Sequence, residues 1–272
     1  MRYKRLGDLP LAGKRVLIRE DFNVPIKDGS VTSNARIRAA LPTIQHCIRE
    51  QAAVIVMSHL GRPELESFDP KLSLRPVAAE LSAMLGMQVD LISDWRKHLD
   101  TQPGAVVMIE NVRFETGEAA NDGELGEAYA RLCDVFVMDA FATAHRAQAS
   151  THAVAQFAKE ACAGPLLSSE IDVLSGTLED PQRPLVAIFG GSKVSTKLKT
   201  LHSLAEIADT IVFGGGIANT FLLAAGKSIG RSLAEPQLTH VAASIAARSS
   251  VFEHVDVMTG VELNDQAASR LC

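Results

Sequence analysis

Arginine, histidine and Asx side chains recur in the first half of the chain, each time directly after a short apolar run. The set comprises Asp21 and Asn23 after the run 15–19, His59 and Arg62 after 53–57, Arg113 after 105–109, and His145 and Arg146 after 135–138. Arginine binds carboxylates and phosphates through the parallel N–H groups of its guanidinium fork. Several converging arginines would therefore suit a small substrate with more than one anionic group, whereas the alternative is that each is an ordinary surface arginine.

The apolar runs are predicted to be strands of one parallel sheet, which gives the polar residues after them a common location. Ligands of open parallel sheets bind outside the carboxyl ends of the strands, so we expect these side chains to meet at one edge. Arg36, at the start of the first crossover helix, is expected to join them. Asp21 and Asn23 also suit turns and helix caps, and His145 is given a weaker role than its neighbour Arg146.

A second set of residues, later in the chain, combines glycines with lysines. The run 185–189 leads into Gly190-Gly-Ser-Lys193-Val-Ser-Thr-Lys197, and the run 210–213 leads into Gly214-Gly-Gly216. Glycines at a strand-to-helix turn let backbone N–H groups approach phosphate closely. Lys193 and Lys197 are predicted to lie on one face of the first helical turn, where they oppose the helix dipole unless an anion is bound. Solvated lysines are the alternative.

Two other nucleotide-like patterns are rejected. Ala225-Gly-Lys-Ser228 resembles the end of a Walker A loop, but Phe221 occupies the place of its first glycine and the match follows a predicted helix. The glycines 214–216 are not part of a G-x-G-x-x-G fingerprint, which argues against a dinucleotide-dependent oxidoreductase.

The pattern of elements predicts an α/β fold. Apolar runs rich in β-branched residues at 15–19, 53–57, 89–92, 105–109 and 135–138 are nearly continuous in hydrophobicity, as strands buried on both faces are. Amphipathic stripes lie between them, for example Val77, Leu81 and Leu85 before the helix-terminating Gly86. This alternation predicts a parallel sheet with right-handed crossovers, covered by helices on both faces.

We expect two domains joined by a connector. Residues 1–164 form the first domain, and 165–183 are predicted to be an interdomain helix and hinge that ends in the breaker-rich segment Asp180-Pro-Gln-Arg-Pro184. The strand–helix pattern restarts in 184–272, with strands predicted at 185–189, 210–213 and 255–258 and helices at 194–208 and 217–225. This second domain is short for a doubly wound unit, so we expect it to be incomplete.

Composition narrows the class of protein. The chain has 272 residues, is 47% hydrophobic and carries a formal net charge of −5, which gives no reason to expect nucleic acid or a membrane as a partner. Its cysteines show no C-x-x-C spacing, so reduced thiols are expected at Cys47, Cys133, Cys162 and Cys272. Because the first residues lack a signal-peptide pattern, we expect a cytoplasmic protein.

Taken together, these motifs resemble those of the phosphoglycerate kinase family. The segments that carry the resemblance are, in order, Asp21-Phe-Asn-Val-Pro25, Ser58-His-Leu-Gly-Arg-Pro63, Glu110-Asn-Val-Arg-Phe114, Asp139-Ala-Phe-Ala-Thr-Ala-His-Arg146, Gly190-Gly-Ser-Lys-Val194 and Gly214-Gly-Gly-Ile-Ala-Asn-Thr-Phe221. The resemblance implies two Rossmann-like three-layer domains with parallel sheets, of which the second is incomplete in this chain.

The resemblance also implies a reaction and its ligands. The reaction is reversible phosphoryl transfer between ATP and the carboxylate of 3-phosphoglycerate, with 1,3-bisphosphoglycerate and ADP on the other side, in glycolysis and gluconeogenesis. The positions that match the family's triose site are Asp21, Asn23, Arg36, His59, Leu60, Gly61, Arg62, Arg113 and Arg146. Those that match its nucleotide site are Gly191, Lys193, Lys197, Gly214 and Gly215.

Arg36 and Lys193 are the catalytic residues that the resemblance implies, because they would stabilise the transferring phosphoryl group from opposite sides. Such a transfer needs positioning and charge neutralisation more than covalent help. Each half of the site would lie on its own domain, so the resemblance also implies domain closure. The family is typically monomeric, and Mg²⁺ accompanies its ATP or ADP.

This chain departs from the family in two respects. Ala142 stands where the family commonly has glycine, and family members are considerably longer. Their additional part would carry the acid that holds the ribose, a glycine-rich loop and the aspartate associated with Mg²⁺, so no metal ligand is assigned here. We therefore expect the 272-residue chain to bind triose phosphate but to be a poor or inactive kinase; the alternative function is a truncated, non-catalytic form that binds triose phosphate only.

Overall fold

The protein is seen here as a computed structural model that describes residues 3–64, 68–97, 99–248, 250–252, 256–260 and 269–271. The chain divides into two compact units, Met1–Leu174 and Ser175–Cys272. In the described residues, no helix combines the length and the apolar composition needed to cross a membrane. Cys47, Cys133 and Cys162 are free and buried, whereas Cys272 lies outside the described residues.

The first unit is built on a six-stranded sheet in which every neighbouring pair is parallel. The sheet consists of β1 (Arg15–Arg19), β4 (Ala53–Met57), β5 (Val89–Ile92), β6 (Val106–Ile109), β7 (Val135–Met138) and β8 (Ala161–Ala163). The strands β2 (Ile26–Lys27) and β3 (Ser30–Val31) form a separate antiparallel hairpin. The order across the sheet is β5-β6-β4-β1-β7-β8. The predicted parallel sheet is confirmed, with β8 and the hairpin as additions.

The helices of the first unit are α1 (Ala35–Arg49), α2 (Arg75–Leu85), α3 (Gly123–Arg131), α4 (Phe141–Ala144) and α5 (Val154–Phe157), with a π-helical turn at Ala149–Ala153. A sixth helix, α6 (Pro165–Glu179), begins in this unit and continues past its last residue. This helix lies within the segment 165–183 predicted to be the connector, whose role as a hinge stays a prediction. Its N-terminal amides are partly satisfied by Asp139, whose Oδ1 accepts from the backbone N–H of Leu167 at 2.9 Å.

Two apolar layers enclose the first sheet. Along β1, Val16 and Ile18 belong to one layer together with residues of α1 and α2. Leu17 belongs to the opposite layer, which includes Tyr129 of α3 and Trp95. Burial on both faces explains why the strand segments are nearly continuous in hydrophobicity. Each fully buried side chain of this size contributes about 1.5–3 kcal/mol to folding, so the central strands hold their carboxyl ends firmly.

The second unit contains a three-stranded parallel sheet in the order β11-β10-β9. Its elements are β9 (Val186–Gly190), α7 (Leu198–Ile207), β10 (Thr210–Gly214), α8 (Gly215–Ala224), α9 (Thr239–Ala246), β11 (Ser250–Val251) and an antiparallel pair formed by β12 (Met258–Gly260) and β13 (Ser269–Leu271). The three helices pack around one core that includes Leu201, Phe213 and Ile245. On the other face of β9, Ile188 is 82% exposed and Val186 is 50% exposed.

Two predicted elements of the second unit are wrong in detail. The helix expected at 194–208 begins only at Leu198, because the backbone N–H of Lys197 donates to Val194 and forms a 3₁₀ turn at Ser195–Lys197. The third parallel strand is β11 rather than 255–258, since Val251 pairs with Ile211 and packs against the apolar core. Of the predicted strand, residue 255 lies outside the described residues and Met258 begins β12.

Candidate functional site

The carboxyl ends of four neighbouring strands carry the residues predicted to bind an anion. β1 lies between β4 and β7, with Arg19 in register with Met57 on one side and Met138 on the other. β6 lies on the far side of β4. The segments that follow these strands therefore start from the same edge of the first sheet, as expected for a parallel arrangement.

Asp21 and Asn23 form a turn after β1 and also contact two other parts of this edge. The backbone N–H of Asn23 donates to Asp21 Oδ1 at 3.1 Å, which is the turn role considered as an alternative. Asp21 Oδ2 also accepts from Arg36 Nη1 at 2.6 Å. Asn23 Oδ1 accepts from the backbone N–H of Gly61 at 2.9 Å. Asp21 and Asn23 therefore form the turn and also position Arg36 and Gly61.

The loop that follows β4 is held by Asn111, which follows β6. Asn111 is 1% exposed, and its Oδ1 accepts from the backbone N–H groups of Leu60 (3.3 Å) and Arg113 (3.1 Å). Its Nδ2 donates to the carbonyls of Leu60 (2.8 Å) and Leu72 (2.9 Å). Asn111 is not among the residues that the sequence pattern predicts, although it lies inside the motif that contains Arg113.

Gly61 connects the same loop to Arg113. Its φ of +60° lies in the left-handed region, where glycine avoids the steric cost of a Cβ atom. Its carbonyl accepts a hydrogen bond from Arg113 Nη1. The guanidinium of Arg113 is thereby oriented by backbone rather than by a carboxylate, so much of its positive charge is left unneutralised.

Electrostatic effects on His59 and Arg113 show that the predicted cations converge. Burial and the positive charges of four arginines, Arg19, Arg113, Arg146 and Arg36, lower the pKa of His59 to about 2. Burial, followed by repulsion from Arg146 and Arg62, also lowers the pKa of Arg113. Repulsion among cations at one edge is relieved when an anion binds among them. The structure therefore brings Arg36, His59, Arg62, Arg113 and Arg146 together, whereas among the described residues it shows no interaction between His145 and this group. Their role as ligands stays a prediction.

The remaining predicted side chains of this edge differ in burial. Arg36 is half exposed, and Arg62 and His145 are exposed. Arg146 is partly buried, just after α4, and its carbonyl accepts from the hydroxyl of Thr151 at 2.7 Å. Exposed arginines remain free to reorient toward a ligand, whereas the buried His59 keeps one position.

Three buried polar residues beneath this edge are not among those predicted. Arg19, Glu118 and Ser150 are 1%, 3% and 0% exposed, respectively. Arg19 contacts both Ser150 and His59. The available signal in the sequence is a charged residue at the end of an otherwise apolar strand, since Arg19 closes the segment RVLIR.

In the second unit, the predicted glycines lie together where β9 and β10 end. Gly190 and Gly214 are in register. The backbone N–H of Ile217 donates to the carbonyl of Gly191 at 3.1 Å. Gly215 has a φ of +66°, and a Cβ atom there would lie 2.8 Å from the Gly191 carbonyl oxygen. Glycine therefore allows the two turns to contact each other at the start of α8.

Lys193 and Lys197 are exposed beside these turns. Lys193 precedes the 3₁₀ turn and Lys197 ends it. The turn is held by Glu235, which accepts from the hydroxyl (2.7 Å) and the backbone N–H (2.9 Å) of Ser195. Those hydrogen bonds, and more weakly the charge of Lys193, lower the pKa of Glu235. Glu235 is not among the residues that the sequence pattern predicts.

The second unit's residues fit the phosphate part of a Mg²⁺-nucleotide. Exposed lysines and glycine turns at the start of a helix suit anionic phosphates. In the part of the chain that the structure describes, no group of three or more His, Cys, Asp or Glu residues could hold a metal ion. Mg²⁺ in nucleotide sites is commonly held by one or two carboxylates plus phosphate oxygens. The lysines and glycine turns of this unit are therefore suited to the phosphates of the nucleotide rather than to the metal ion.

Comparisons with known proteins agree with this geometry. A family model described as phosphoglycerate kinase matches residues 6–270. Phosphoglycerate kinase of Haemophilus influenzae (strain Rd) is 55% identical over 265 residues, which cover 97% of this chain and 68% of that protein. The structure of phosphoglycerate kinase from Coxiella burnetii matches with a TM-score of 0.85 and 50% identity, covering 100% of this chain and 71% of that one.

A more distant structure gives the same result. The crystal structure of phosphoglycerate kinase from Pyrococcus horikoshii OT3 matches with a TM-score of 0.81 and 29% identity, covering 98% of this chain and 70% of that one. The chain therefore spans 68–71% of the length of these relatives. On the grounds of sequence and fold together, the chain belongs to the phosphoglycerate kinase family.

Proposed function

We propose that the residues of this chain serve reversible phosphoryl transfer between ATP and the carboxylate of 3-phosphoglycerate, which forms 1,3-bisphosphoglycerate and ADP in glycolysis and gluconeogenesis. The 272-residue chain by itself is expected to be a poor or inactive catalyst of that reaction. The observation that carries the proposal is the convergence of Arg36, Arg113 and Arg146 on His59 at one edge of the first sheet. Family membership supports the choice of reaction. The proposal also includes that the protein is cytoplasmic and monomeric.

The first unit would hold the triose substrate. 3-Phosphoglycerate carries a carboxylate and a phosphate, and arginine forks bind both groups through paired hydrogen bonds. Asp21 and Asn23 would orient Arg36 and the loop containing Leu60, Gly61 and Arg62 through the contacts described above. Arg113 and Arg146 would supply further charge, and His59 a hydrogen-bond donor. Arg36, whose side chain is half exposed, would stabilise the oxygens of the transferring group.

The second unit would hold ATP or ADP. Gly191, Gly214 and Gly215 would let the backbone approach the nucleotide, and Lys197 would bind its phosphates. Lys193 would stabilise the transferring phosphoryl group. Mg²⁺, when bound with the nucleotide, neutralises phosphate charge; no residue of the described chain is assigned to it. Positioning and charge neutralisation account for most of the catalysis in such transfers, so no covalent role is assigned to any side chain.

A second candidate is a non-catalytic form that binds triose phosphate only. The observation that favours it is the second unit's sheet, in which Ile188 is 82% exposed on the face opposite the helices. Parallel sheets are normally covered on both faces. The first sheet, by contrast, is enclosed by two apolar layers, and all the residues of the predicted triose site belong to the first unit.

The decisive experiment is a turnover assay on purified chain whose mass is verified as 29.1 kDa. ADP formation would be followed with ATP, Mg²⁺ and 3-phosphoglycerate, with Lys193→Ala as the test variant and Lys199→Ala, an exposed lysine on α7, as its control. Turnover that is lost only in Lys193→Ala supports the kinase and contradicts the expected inactivity. Binding of 3-phosphoglycerate without turnover supports the binding-only form, and the absence of both refutes the two candidates.

A further inference from the structure

A continuous chain of buried polar side chains lies beneath the arginine-rich edge of the first sheet. It runs from Glu118 through Ser150 and Arg19 to His59, and each of the four side chains is 3% exposed or less. The family's implied site residues include only the last of them. Burying polar groups is costly unless every donor and acceptor is paired, so the arrangement calls for a physical reason.

The first link fixes the orientation of the Ser150 hydroxyl. Ser150 Oγ donates to Glu118 Oε1 at 2.6 Å, and the Ser150 backbone N–H donates to Glu118 Oε2 at 2.9 Å. Both donors reach one carboxylate because Ser150 lies in the π-helical turn Ala149–Ala153. The hydroxyl proton is thereby committed to Glu118, which leaves the oxygen free to accept.

The second link fixes the guanidinium of Arg19. Its Nε donates to Ser150 Oγ at 3.0 Å, and its Nη1 donates to the carbonyl of Glu20. A planar group held at two of its nitrogens cannot rotate, so the direction of its third nitrogen is determined. The negative charge of Glu118 compensates the positive charge of Arg19 across the serine, which offsets part of the cost of burying both.

The third link decides which nitrogen of His59 carries the proton. Arg19 Nη2 lies 3.2 Å from His59 Nδ1. A guanidinium can only donate hydrogen bonds, so Nδ1 must accept and the ring proton must be on Nε2. Protonation of the ring is opposed by burial and by the positive charges of Arg19, Arg113, Arg146 and Arg36, which together hold the pKa of His59 at about 2.

We propose that Arg19, held by Ser150 and Glu118, is a positioning residue that fixes His59 as the neutral Nε2–H tautomer and so supplies a directed hydrogen-bond donor to an anionic oxygen of the substrate. The assignment of that oxygen to a triose phosphate rests on the proposed function. The tautomer does not, because it follows from contacts within the first unit alone. A neutral donor adds direction to the pocket without adding a further charge to its arginines.

The primary test is long-range ¹⁵N–¹H NMR of the 272-residue chain, with the His59 signals assigned from the His59→Gln variant. We expect a protonated Nε2 and an unprotonated Nδ1, with no titration between pH 5.5 and 8. A protonated Nδ1, a doubly protonated ring or a titration within that range would overturn the proposal. The tautomer itself is determined on the unsubstituted chain, and His59→Gln serves only to assign the signals.

Two variants of Ser150 separate positioning from packing. Ser150→Ala removes both hydroxyl hydrogen bonds, whereas Ser150→Thr retains them. We expect Ser150→Ala to mix the two His59 tautomers and Ser150→Thr to preserve the Nε2–H form. Equal spectra from the two variants would contradict the relay through Ser150.

Arg19→Met tests the same inference through binding, with inorganic sulfate as the probe because it stays a dianion from pH 5.5 to 8. We expect sulfate affinity at pH 7 to fall at least threefold in Arg19→Met and in His59→Gln. The double variant Arg19→Met/His59→Gln should bind no more weakly than Arg19→Met, because both substitutions remove the same directed donor. Additive losses in the double variant would overturn the proposal.

The two proposals fail separately. If His59 is the Nε2–H tautomer but 3-phosphoglycerate does not bind, the proposed function is wrong and the role of Arg19 stands. If 3-phosphoglycerate binds while His59 carries its proton on Nδ1, the role of Arg19 is wrong and the proposed function stands.

Discussion

Replacing Asn111 with alanine should loosen the loops that carry Leu60 and Arg113 without unfolding the chain. The Asn111 side chain makes four hydrogen bonds, two through Oδ1 and two through Nδ2, and it is 1% exposed. Its removal leaves four backbone groups of the loops after β4 and β6 without their partner. At a net 0.5–1.5 kcal/mol per hydrogen bond, the loss sums to about 2–6 kcal/mol. Because water that enters the loosened loops replaces part of these bonds, we expect a value in the lower half of this range, about 3 kcal/mol.

The loss should be measurable through the only tryptophan of the chain. Trp95 stacks on Tyr129 with ring centroids 4.9 Å apart, inside the core of the first unit. Urea unfolding followed by its fluorescence should give a free energy of unfolding about 3 kcal/mol lower in Asn111→Ala, against a typical total of about 5–15 kcal/mol. Because Leu60 and Arg113 lose their backbone anchor, affinity for 3-phosphoglycerate should fall at least tenfold in the folded variant.

The matched control for this experiment is Asn219→Ala in the second unit. Asn219 donates one hydrogen bond, to the carbonyl of Leu233 at 3.0 Å, and its loss should change the Trp95 transition by less than about 0.5 kcal/mol. A loss below about 1 kcal/mol in Asn111→Ala, or unchanged affinity for 3-phosphoglycerate, would refute the claim that Asn111 holds these loops.

Two further predictions concern the turns of the second unit and the buried acids of the first. Gly215→Ala should weaken ADP binding in calorimetry, because the new Cβ atom would lie 2.8 Å from the Gly191 carbonyl oxygen. The control is Gly230→Ala, which also has a positive φ but has no atom within 4 Å of the new Cβ, and it should bind ADP like the wild type. Equal effects of the two substitutions would contradict this prediction. Burial, then repulsion from Asp139, raises the pKa of Glu20 well above its usual range. The stability it contributes is therefore present below its unfolded pKa, roughly 4.3, and is lost as pH rises, by up to about 1.4 kcal/mol per pH unit. Relative to Glu20→Gln, the wild type should lose stability between pH 5 and 7 in urea titrations, and a constant difference would disprove the assignment.

The strand ends of the first unit could be predicted because their positions follow from local sequence. Parallel strands buried on both faces produce nearly continuous apolar runs, and their carboxyl ends share one edge by topology alone. The placement of Asp21, Asn23, His59 and Arg113 at that edge needed no knowledge of side-chain contacts.

The supporting network could not be predicted in the same way. The contact between Arg19 and Ser150 joins residues 131 positions apart, and it depends on a π-helical turn that has no simple sequence signal. The role of Asn111 likewise depends on where the backbone of Leu60 and Leu72 happens to run. These contacts depend on tertiary packing, which the periodicity of apolar residues along the sequence does not reveal.

In the second unit, the boundaries rather than the elements were difficult to predict. The helix expected from residue 194 starts later because Glu235, from a distant segment, accepts both hydrogen bonds of Ser195 and stabilises a 3₁₀ turn. β11 is only two residues long, too short for its period to be recognised.

Calorimetric titration with 3-phosphoglycerate tests the central claim most directly, that the arginines of the first unit form a substrate site. We predict one binding site on the 272-residue chain, with affinity reduced about 10- to 100-fold in Arg36→Ala, as the loss of a charged hydrogen bond of 1.5–3 kcal/mol implies. Arg38→Ala removes an arginine two positions after Arg36 on the same helix, whose Nη2 donates to Asn34 Oδ1 instead of to Asp21. This variant should bind like the wild type. Absence of binding by a wild-type chain that melts cooperatively, or equal affinities in the two variants, would contradict the account.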